Sequence, residues 1–448
     1  PLFVRFMDAK KPLHPALSEE DKASVLSLCR DTWHFFEKNV HAGTFFLPPD
    51  NVQLQPDKGP ALRTSPTNIG LYLLSVLAAK EMGFLTAPQM ARRMLRTVET
   101  LERLEKWQGH LYNWYSLETL SPLPPRFVST VDSGNLCACL LACAQGVRQY
   151  LESLDEKGRT LPLRLDHLAE KMRFDRLYDP ACHLFHIGYD THKKRLSQSH
   201  YDLLASECRL TSFVAVMQRQ VPLKHWFSLG RMTVRQGGGA ALLSWGGTAF
   251  EYLMPHLLLP LHRNTLLFDG CLNAIRAQIT AAGHRPFGIS ESGYFAFDTD
   301  LQYQYRAFGL PSLALSEHTK GNVVAPYASM LVLPFLPDAA IRNLQWMRRL
   351  SWYSDEGLFE AADYTPTPMD APPHLVKSHM AHHQGMILCA GCNLLTDFSL
   401  VRHFMTPAKA KAYSFLLCER KPLLPSFSRP LPRKKEAAAP FPSFAFPC

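Results

Sequence analysis

The sequence predicts an all-α protein, a closed (α/α) barrel of six inner helices with short β-hairpin loops at its active-site end. Three observations predict it. Six times, a polar or small-residue cluster runs straight into a strongly apolar helical stretch, and a helix apolar on nearly all faces must be buried on nearly all faces. The segments between these stretches read as ordinary amphipathic helices rich in Arg, Glu and Lys, such as 88–106 and 337–349. Buried and half-exposed helices therefore alternate, as in an inner and an outer ring. The length also fits: 448 residues are about three times a ~150-residue domain, yet within reach of one closed barrel. An open α-solenoid is the competing architecture, but its repeats are usually shorter and more regular.

Residues 1–60 read as an N-terminal extension, with a helix over 19–40 and the Pro-rich loop Leu47-Pro48-Pro49-Asp50-Asn51. The barrel is expected over 61–420. Its first inner helix, 69–79, follows Arg63-Thr64-Ser65-Pro66-Thr67-Asn68, and the second, 136–147, follows Ser129-Thr130-Val131-Asp132-Ser133-Gly134-Asn135. Ser65-Pro66 and Thr130 or Asp132 are good N-cap chemistry, with Pro in a first helical turn. The third, 210–217, follows Tyr201-Asp202-Leu203-Leu204-Ala205-Ser206-Glu207, and the fourth, 252–261, follows Trp245-Gly246-Gly247-Thr248-Ala249-Phe250-Glu251. The fifth and sixth, 328–336 and 386–395, follow the clusters at 321–327 and 377–383. From 421 to 448, Pro, Ala, Ser and basic residues replace the apolar periodicity, as in a linker or tail.

Composition excludes several function classes. The net charge of +9 comes from 48 Lys and Arg against 39 Asp and Glu. Local basic clusters such as Lys193-Lys194-Arg195 and Arg433-Lys434-Lys435 are not interleaved with stacking aromatics, so no nucleic-acid partner is expected. No run of 18 apolar residues occurs, and no signal peptide; the start at Pro1-Leu2-Phe3 reads as cut from a longer protein. Eleven cysteines is an odd number, and Cys29, Cys137, Cys139, Cys143, Cys208 and Cys389 fall in apolar helical stretches, as buried thiols would. Cys389 and Cys392 form a CxxC without a βαβ context or a second pair. No Walker loop, dinucleotide fingerprint or Gly-x-Ser-x-Gly elbow is present, and Gly237-Gly238-Gly239 reads as a turn. His379, His382 and His383 share a helix face, but Met380 stands where a zinc-protease helix carries Glu. Hydrogen bonding to hydroxyls is the better use of these rings, so neither metal nor cofactor is expected.

In such a barrel the polar clusters gather at one end, together with the aromatic, hairpin-like loops 109–115, 184–190 and 287–294. Aromatic faces beside carboxylates and amides suit a sugar cleft, where pyranose faces stack and hydroxyls take hydrogen bonds. Candidate acids are few. Asp132 is either an N-cap or a functional group; Glu207, five residues after Asp202, is either a first-turn acid facing the helix dipole or a catalytic one. Glu251 sits in an apolar run and can be a buried structural acid. Glu291, between Ser290 and Ser292 in a Gly-flanked loop, has no obvious structural task, and Glu360 and Asp363 lie on the last loop. Paired carboxylates in an aromatic cleft point to glycosidic-bond chemistry.

Several of these motifs closely resemble one family. The clusters at 63–72, Tyr112-Asn113-Trp114-Tyr115, Ser129-Thr130-Val131-Asp132-Ser133-Gly134-Asn135-Leu136 and Tyr201-Asp202-Leu203-Leu204-Ala205-Ser206-Glu207 resemble the middle region of bacterial cyclic β-1,2-glucan synthases. So do Phe250-Glu251-Tyr252-Leu253-Met254-Pro255, Gly288-Ile289-Ser290-Glu291-Ser292, Tyr303-Gln304-Tyr305-Arg306-Ala307-Phe308-Gly309 and Met380-Ala381-His382-His383-Gln384-Gly385-Met386. The resemblance covers about residues 40–420; the substitutions around 137–143 and His379, and the tail after Lys421, depart from it. It implies a glucoamylase-like, six-hairpin domain that closes linear β-1,2-glucan into rings by transglycosylation. It also implies flanking regions in a longer chain, a membrane glycosyltransferase fed by UDP-glucose before it and a phosphorylase-like region after it. The location implied is the cytoplasmic face of the bacterial inner membrane, with this fragment itself soluble. By the same resemblance the catalytic glutamates fall on Glu207, in Leu-Leu-Ala-Ser-Glu, and Glu291, in Ile-Ser-Glu-Ser. A β-linked ring from a β-linked chain requires net retention, with Glu291 expected as acid/base and Glu207 as nucleophile or its partner. Asp132, Trp114, Tyr115, Tyr201, Asp202, Glu251, Tyr294, Arg306, Glu360, His382 and His383 are then expected to bind substrate. An endo-β-1,2-glucanase on the same barrel is the alternative, differing only in whether water or sugar attacks.

Overall fold

The computed structural model describes residues 17–317, 321–367 and 371–420; the start of the chain and the expected linker at 421–448 lie outside them. In chain order the helices are α1 (Glu19–Asn39), α2 (Pro66–Glu81), α3 (Ala87–Arg103), α4 (Thr130–Arg148), α5 (Glu156–Glu170), α6 (Arg209–Met217) and α7 (Lys224–Ser228). They continue with α8 (Ala249–Leu253), α9 (Leu266–Ala282), α10 (Tyr327–Val332), α11 (Pro337–Arg349), α12 (Ala381–Leu395), α13 (Ser399–Met405) and α14 (Ala408–Ala412).

The apolar runs are the buried helices. Every residue of α6, α8 and α10 is buried, as is everything in α2 from Pro66 to Ala79. The helices between them are one-sided: α3 buries Met90, Met94, Val98 and Leu101 and leaves Arg92 and Arg96 in solvent. Around the centre α2 packs on α4, α4 on α6, α8 on α10, α10 on α12, and α12 back on α2. Arg209 links α6 to α8: its guanidinium is buried and donates to the Leu204 and Tyr252 carbonyls, at 2.9 Å each. Close approach of α4 and α6 depends on Gly134, where a Cβ would fall 1.9 Å from Thr211 Oγ1.

Two inner helices are shorter than the apolar runs suggest. The fourth run becomes α8 and a 3-10 turn, Met254–Leu257, because Pro255 supplies no N–H and fits only a new first turn. The fifth ends at Val332, two residues before Pro334. The all-α expectation also needs correcting, since the end of the molecule that feeds the inner helices is built of small sheets. The largest runs Arg63–Thr64, Asn113–Ser116, Pro122–Ser129, Gly188–Asp190, Arg195–Leu196 in spatial order. Its first and third strands deliver the chain to Ser65 and Ser129, the side-chain caps of α2 and α4. Asn51–Leu54 pairs with Ser378–Met380, which runs directly into α12. Loops of this length would leave backbone groups unsatisfied next to a packed core, and short ladders satisfy them. Residues 19–60, read as an extension, are built into the same body: α1 packs its Val25, Cys29, Trp33 and Phe36 face inward and rests on α12.

Candidate active site

Strand His200–Tyr201 leads into the turn before α6, and that turn is pinned on both sides. Gly230 N donates to Asp202 O at 2.6 Å, Leu204 N to Gly230 O at 2.9 Å, and Cys208 N to Ser206 Oγ at 3.2 Å. Glu207 stands just before the Cys208 N-cap position, outside the first helical turn. Its half-buried carboxyl takes no hydrogen bond from the described residues. Burial pushes that carboxyl well above the ordinary carboxylate range, and the charges of Glu291, Asp132 and Glu251 push in the same direction. A desolvated acid with no structural partner is what a reacting group requires.

Glu291 reaches the same place from the loop before the hairpin Ser292–Phe297/Tyr303–Arg306. Ala249 N bonds Ile289 O, Phe250 N bonds Ser290 Oγ at 3.0 Å, and Tyr327 OH donates to Glu291 O at 3.1 Å. The loop is thus clamped between α8 and α10. Tyr305 OH lies 3.5 Å from Glu291 Oε2 and 3.5 Å from His382 Nε2. Behind His382 the chain continues: Nδ1 to Asn68 Oδ1 at 3.2 Å, Asn68 Nδ2 to Asp50 Oδ1 at 3.1 Å, and Arg63 to the other Asp50 oxygen at 3.2 Å. Because Asn68 gives its NH2 to Asp50, its oxygen faces His382, which therefore carries its proton on Nδ1 and accepts on Nε2. Burial, then His383, lowers His382 to about 3, so the ring is neutral. Glu291 is pushed up to about 8, by burial first and then by Glu251, while the Tyr305 hydroxyl works against the shift by favouring the charged form.

Other expected site residues divide by how their polar atoms are used. Asp132 is in the first turn of α4, but Ser129 is the cap; the Asp132 carboxylate is left to accept from Thr67 Oγ1 at 2.6 Å and Asn113 Nδ2 at 3.2 Å. Tyr201 is half-buried in the field of Glu207, Asp132 and Glu291. Asp202 accepts from Trp245 Nε1 at 2.7 Å, and Trp114 carries the Arg63 guanidinium over its ring at 5.0 Å. Glu251 is engaged structurally: it accepts from Gly246 N, Thr248 N and Ser244 Oγ in a capping box at the start of α8. Glu360 is buried and pairs with His383 Nδ1 at 2.9 Å, taking Gly293 N on its other oxygen at 3.0 Å. Burial drives both partners toward neutrality, Glu360 up to about 7 and His383 well down, so the pair is acid and imidazole more than an ion pair.

One expectation is corrected. Tyr115 is fully buried and its hydroxyl donates to Glu105 O, so its ring packs in the core and faces no sugar. Arg306 is exposed: side chains alternate along Tyr303–Arg306, so it shares the outer face with Gln304 while Tyr305 turns to Glu291. Tyr294 lies on that outer face too, hydrogen-bonded to Gln304 at 2.6 Å. Tyr305 and Tyr327 are the residues the sequence reading passed over; period-two alternation from Tyr303 was the signal for the first. His379 is held by Ser354 and Gln384, His382 by Asn68 and Tyr305, and His383 by Glu360, so the three rings serve separate networks. The thiols of Cys29, Cys137, Cys139, Cys143, Cys208, Cys389 and Cys392 are buried and free.

A stability signature follows from Glu291. Its carboxyl titrates at about 8 in the fold and near ~4.3 unfolded. Between those values the folded state holds a proton that the unfolded state has released, so this group's contribution to stability falls as pH rises. Glu291→Gln removes that slope. Thermal melts are expected to show the variant gaining on the parent protein from pH 5 to pH 8; a gap that is the same at both would contradict the assignment.

Comparison with known proteins bears out the resemblance read from the motifs. Residues 199–407 match the family model Glycoamylase, described as "Putative glucoamylase". The chain is 31% identical to the cyclic β-(1,2)-glucan synthase NdvB of Rhizobium meliloti, over an alignment covering 91% of this chain and 19% of that protein. The fold is similar to that of an endo-β-1,2-glucanase from Chitinophaga pinensis, with a TM-score of 0.72 at 17% identity, covering 90% of this chain and 99% of the other. An endo-β-1,2-glucanase from Talaromyces funiculosus gives 0.69 at 14% identity, covering 89% and 90%.

Proposed function

We propose that this chain is a carbohydrate-active enzyme that closes linear β-1,2-glucan into cyclic β-1,2-glucan, on a closed six-hairpin (α/α) barrel, by a net-retaining mechanism. The observation that carries the reading is the unengaged Glu207 carboxyl in the field of Glu291, in a chain 31% identical to a cyclic β-(1,2)-glucan synthase. Glu207 and Glu291 repel each other's charge, so the pair reacts with a single ionised member: with the charge on Glu207 and the proton on Glu291, Glu207 attacks the anomeric carbon while Glu291 gives its proton to the departing O2, leaving a glycosyl-enzyme with inverted linkage. Glu291, now ionised, takes the proton from the 2-hydroxyl at the chain's own non-reducing end, whose oxygen attacks the same carbon and restores the β linkage. Nothing is hydrolysed: the proton given to O2 leaves with the shorter chain, and the proton of the attacking hydroxyl restores Glu291. An acid at about 8 is loaded at neutral pH and close enough to it to act in both directions.

Asp132, Asp202, Tyr201 and Trp114 supply hydroxyl contacts and stacking around this pair, and His382 acts through Tyr305. The chain spans 19% of its curated relative's length, so the further parts of the reading concern a longer protein. There the domain sits between a membrane glycosyltransferase region and a phosphorylase-like region, at the cytoplasmic membrane face. Among the described residues no single helix is long and apolar enough to cross a membrane.

The second reading, an endo-β-1,2-glucanase, rests on the same barrel with water as the attacking group. Proton NMR of the cyclised products tests the mechanism. Only β-linked anomeric signals are expected from a net-retaining enzyme, and one α-linked residue per ring would overturn it.

A further inference from the structure

We propose that Asp179, His186 and His200, with Cys182 as fourth ligand, form a structural site for a divalent transition metal of the zinc class beside the cleft. The site is distinct from the glutamate pair. A three-stranded sheet, His200–Tyr201, Leu184–His186 and Tyr178–Asp179 in spatial order, carries the three residues. Its register puts them on one face: His200 pairs with His186, and Asp179 with Leu184, two residues from His186 on the same side. One ligand atom from each lies within 4.8 Å of the others. Asp179 Oδ2 is 3.1 Å from His200 Nε2 and 4.0 Å from His186 Nε2, and the two rings are 4.4 Å apart.

Asp179 and His186 are each oriented for ligation by a second partner. Ala181 N occupies Asp179 Oδ1 at 2.8 Å, which leaves Oδ2 toward the histidines. His186 Nδ1 donates to Ser197 O at 2.6 Å, which fixes the tautomer whose Nε2 lone pair faces Asp179. Cys182 lies in the turn 180–183 that joins the strand of Asp179 to the strand of His186. Two imidazoles, a carboxylate and a thiolate are a tetrahedral donor set for Zn²⁺, whose ligand atoms stand about 3.3 Å apart at bond lengths of ~2.0–2.3 Å. Closing the present triangle requires movements of about 1 Å in half-exposed side chains. The metal would displace the proton now shared between His200 and Asp179.

The location gives the site a purpose. Tyr201 follows His200 directly, and the carbonyls of His186 and Ile187 accept from Thr130 Oγ1 at 2.7 Å and Thr130 N at 3.0 Å. A metal here would tie the strand leading to Asp202 and Glu207 to the N-terminus of α4, which carries Asp132. It acts as a clasp on the cleft rim and takes no part in the chemistry.

The test uses the chain stripped by chelator and titrated with Zn²⁺ and with Co²⁺. One equivalent is expected to bind, with an intense visible tetrahedral Co²⁺ spectrum, a near-ultraviolet thiolate band and a raised melting temperature. His200→Ala and the milder Asp179→Asn should each weaken Zn²⁺ binding ~100-fold or more, and Cys182→Ser should remove the thiolate band. Binding of the same affinity in His200→Ala and Asp179→Asn, or no stoichiometric uptake by the parent chain, would overturn the site. A cobalt spectrum without the thiolate band would overturn the fourth ligand.

Discussion

Glu207→Gln and Glu291→Gln are each expected to lower turnover of linear β-1,2-glucan by ~10³-fold or more while the protein stays folded. An amide matches the carboxyl in size, and among the described residues neither side chain supports its surroundings: the Glu207 carboxyl takes no hydrogen bond there, and that of Glu291 has only the long Tyr305 contact. What is lost is the proton and the nucleophilic oxygen. Glu251→Gln offers a useful contrast, since its carboxylate holds the start of α8 and its loss should appear in stability. Azide separates the two roles. With Glu207→Ala it attacks the sugar directly and yields an α-azide; with Glu291→Ala it captures the glycosyl-enzyme and yields a β-azide. Full activity in either glutamine variant would remove that residue from the mechanism.

Tyr305→Phe is expected to cost about 10- to 100-fold in kcat/KM and to move the alkaline limb of the pH profile upward. The direction follows from the hydroxyl's role. It lies between Glu291 and a neutral His382 and favours the ionised carboxylate, holding Glu291 below where burial alone would put it. Without it the acid stays protonated to higher pH and its conjugate base returns less readily. Asn68→Ala should move the limb the other way and by less, because a His382 freed to carry its proton on Nε2 donates to the Tyr305 oxygen and leaves the Tyr305 proton to Glu291. A uniform loss with an unmoved pH limb would make Tyr305 a packing residue only.

The inner helices were legible because burial on every face leaves a composition that survives any register. Ser65 and the cluster before α4 could be read for the same local reason, although the cap proved to be Ser129, which left the Asp132 carboxylate to accept from Thr67 and Asn113. The lengths of α8 and α10 required weighing Pro255 and Pro334 against apolar continuity. Pairings across the strand-built end were not legible. Glu360 and His383 are 23 residues apart on different elements, and nothing local distinguishes such a pair from two independent ligands. Tyr115 and Trp114 are neighbours in one aromatic motif, and only strand alternation sends one into the core. Arg306 drew attention by its charge, whereas its neighbour Tyr305 turns to Glu291. The Asp179, His186 and His200 cluster follows no spacing motif, because its ligands meet through sheet register.

Ring closure is the central claim, and it depends on a sugar hydroxyl outcompeting water at the glycosyl-enzyme. A bound acceptor end has an effective molarity that free water cannot match, provided the glucan is long enough to bend back. The direct measurement is mass spectrometry of the products formed by this chain from linear β-1,2-glucan of increasing length. Products one water lighter than their linear counterparts, resistant to an exo-acting β-glucosidase and appearing only above a threshold length, are the expected result. Short linear oligosaccharides with free reducing ends at every length, and no species lacking a water, would contradict it and make the enzyme a glucanase.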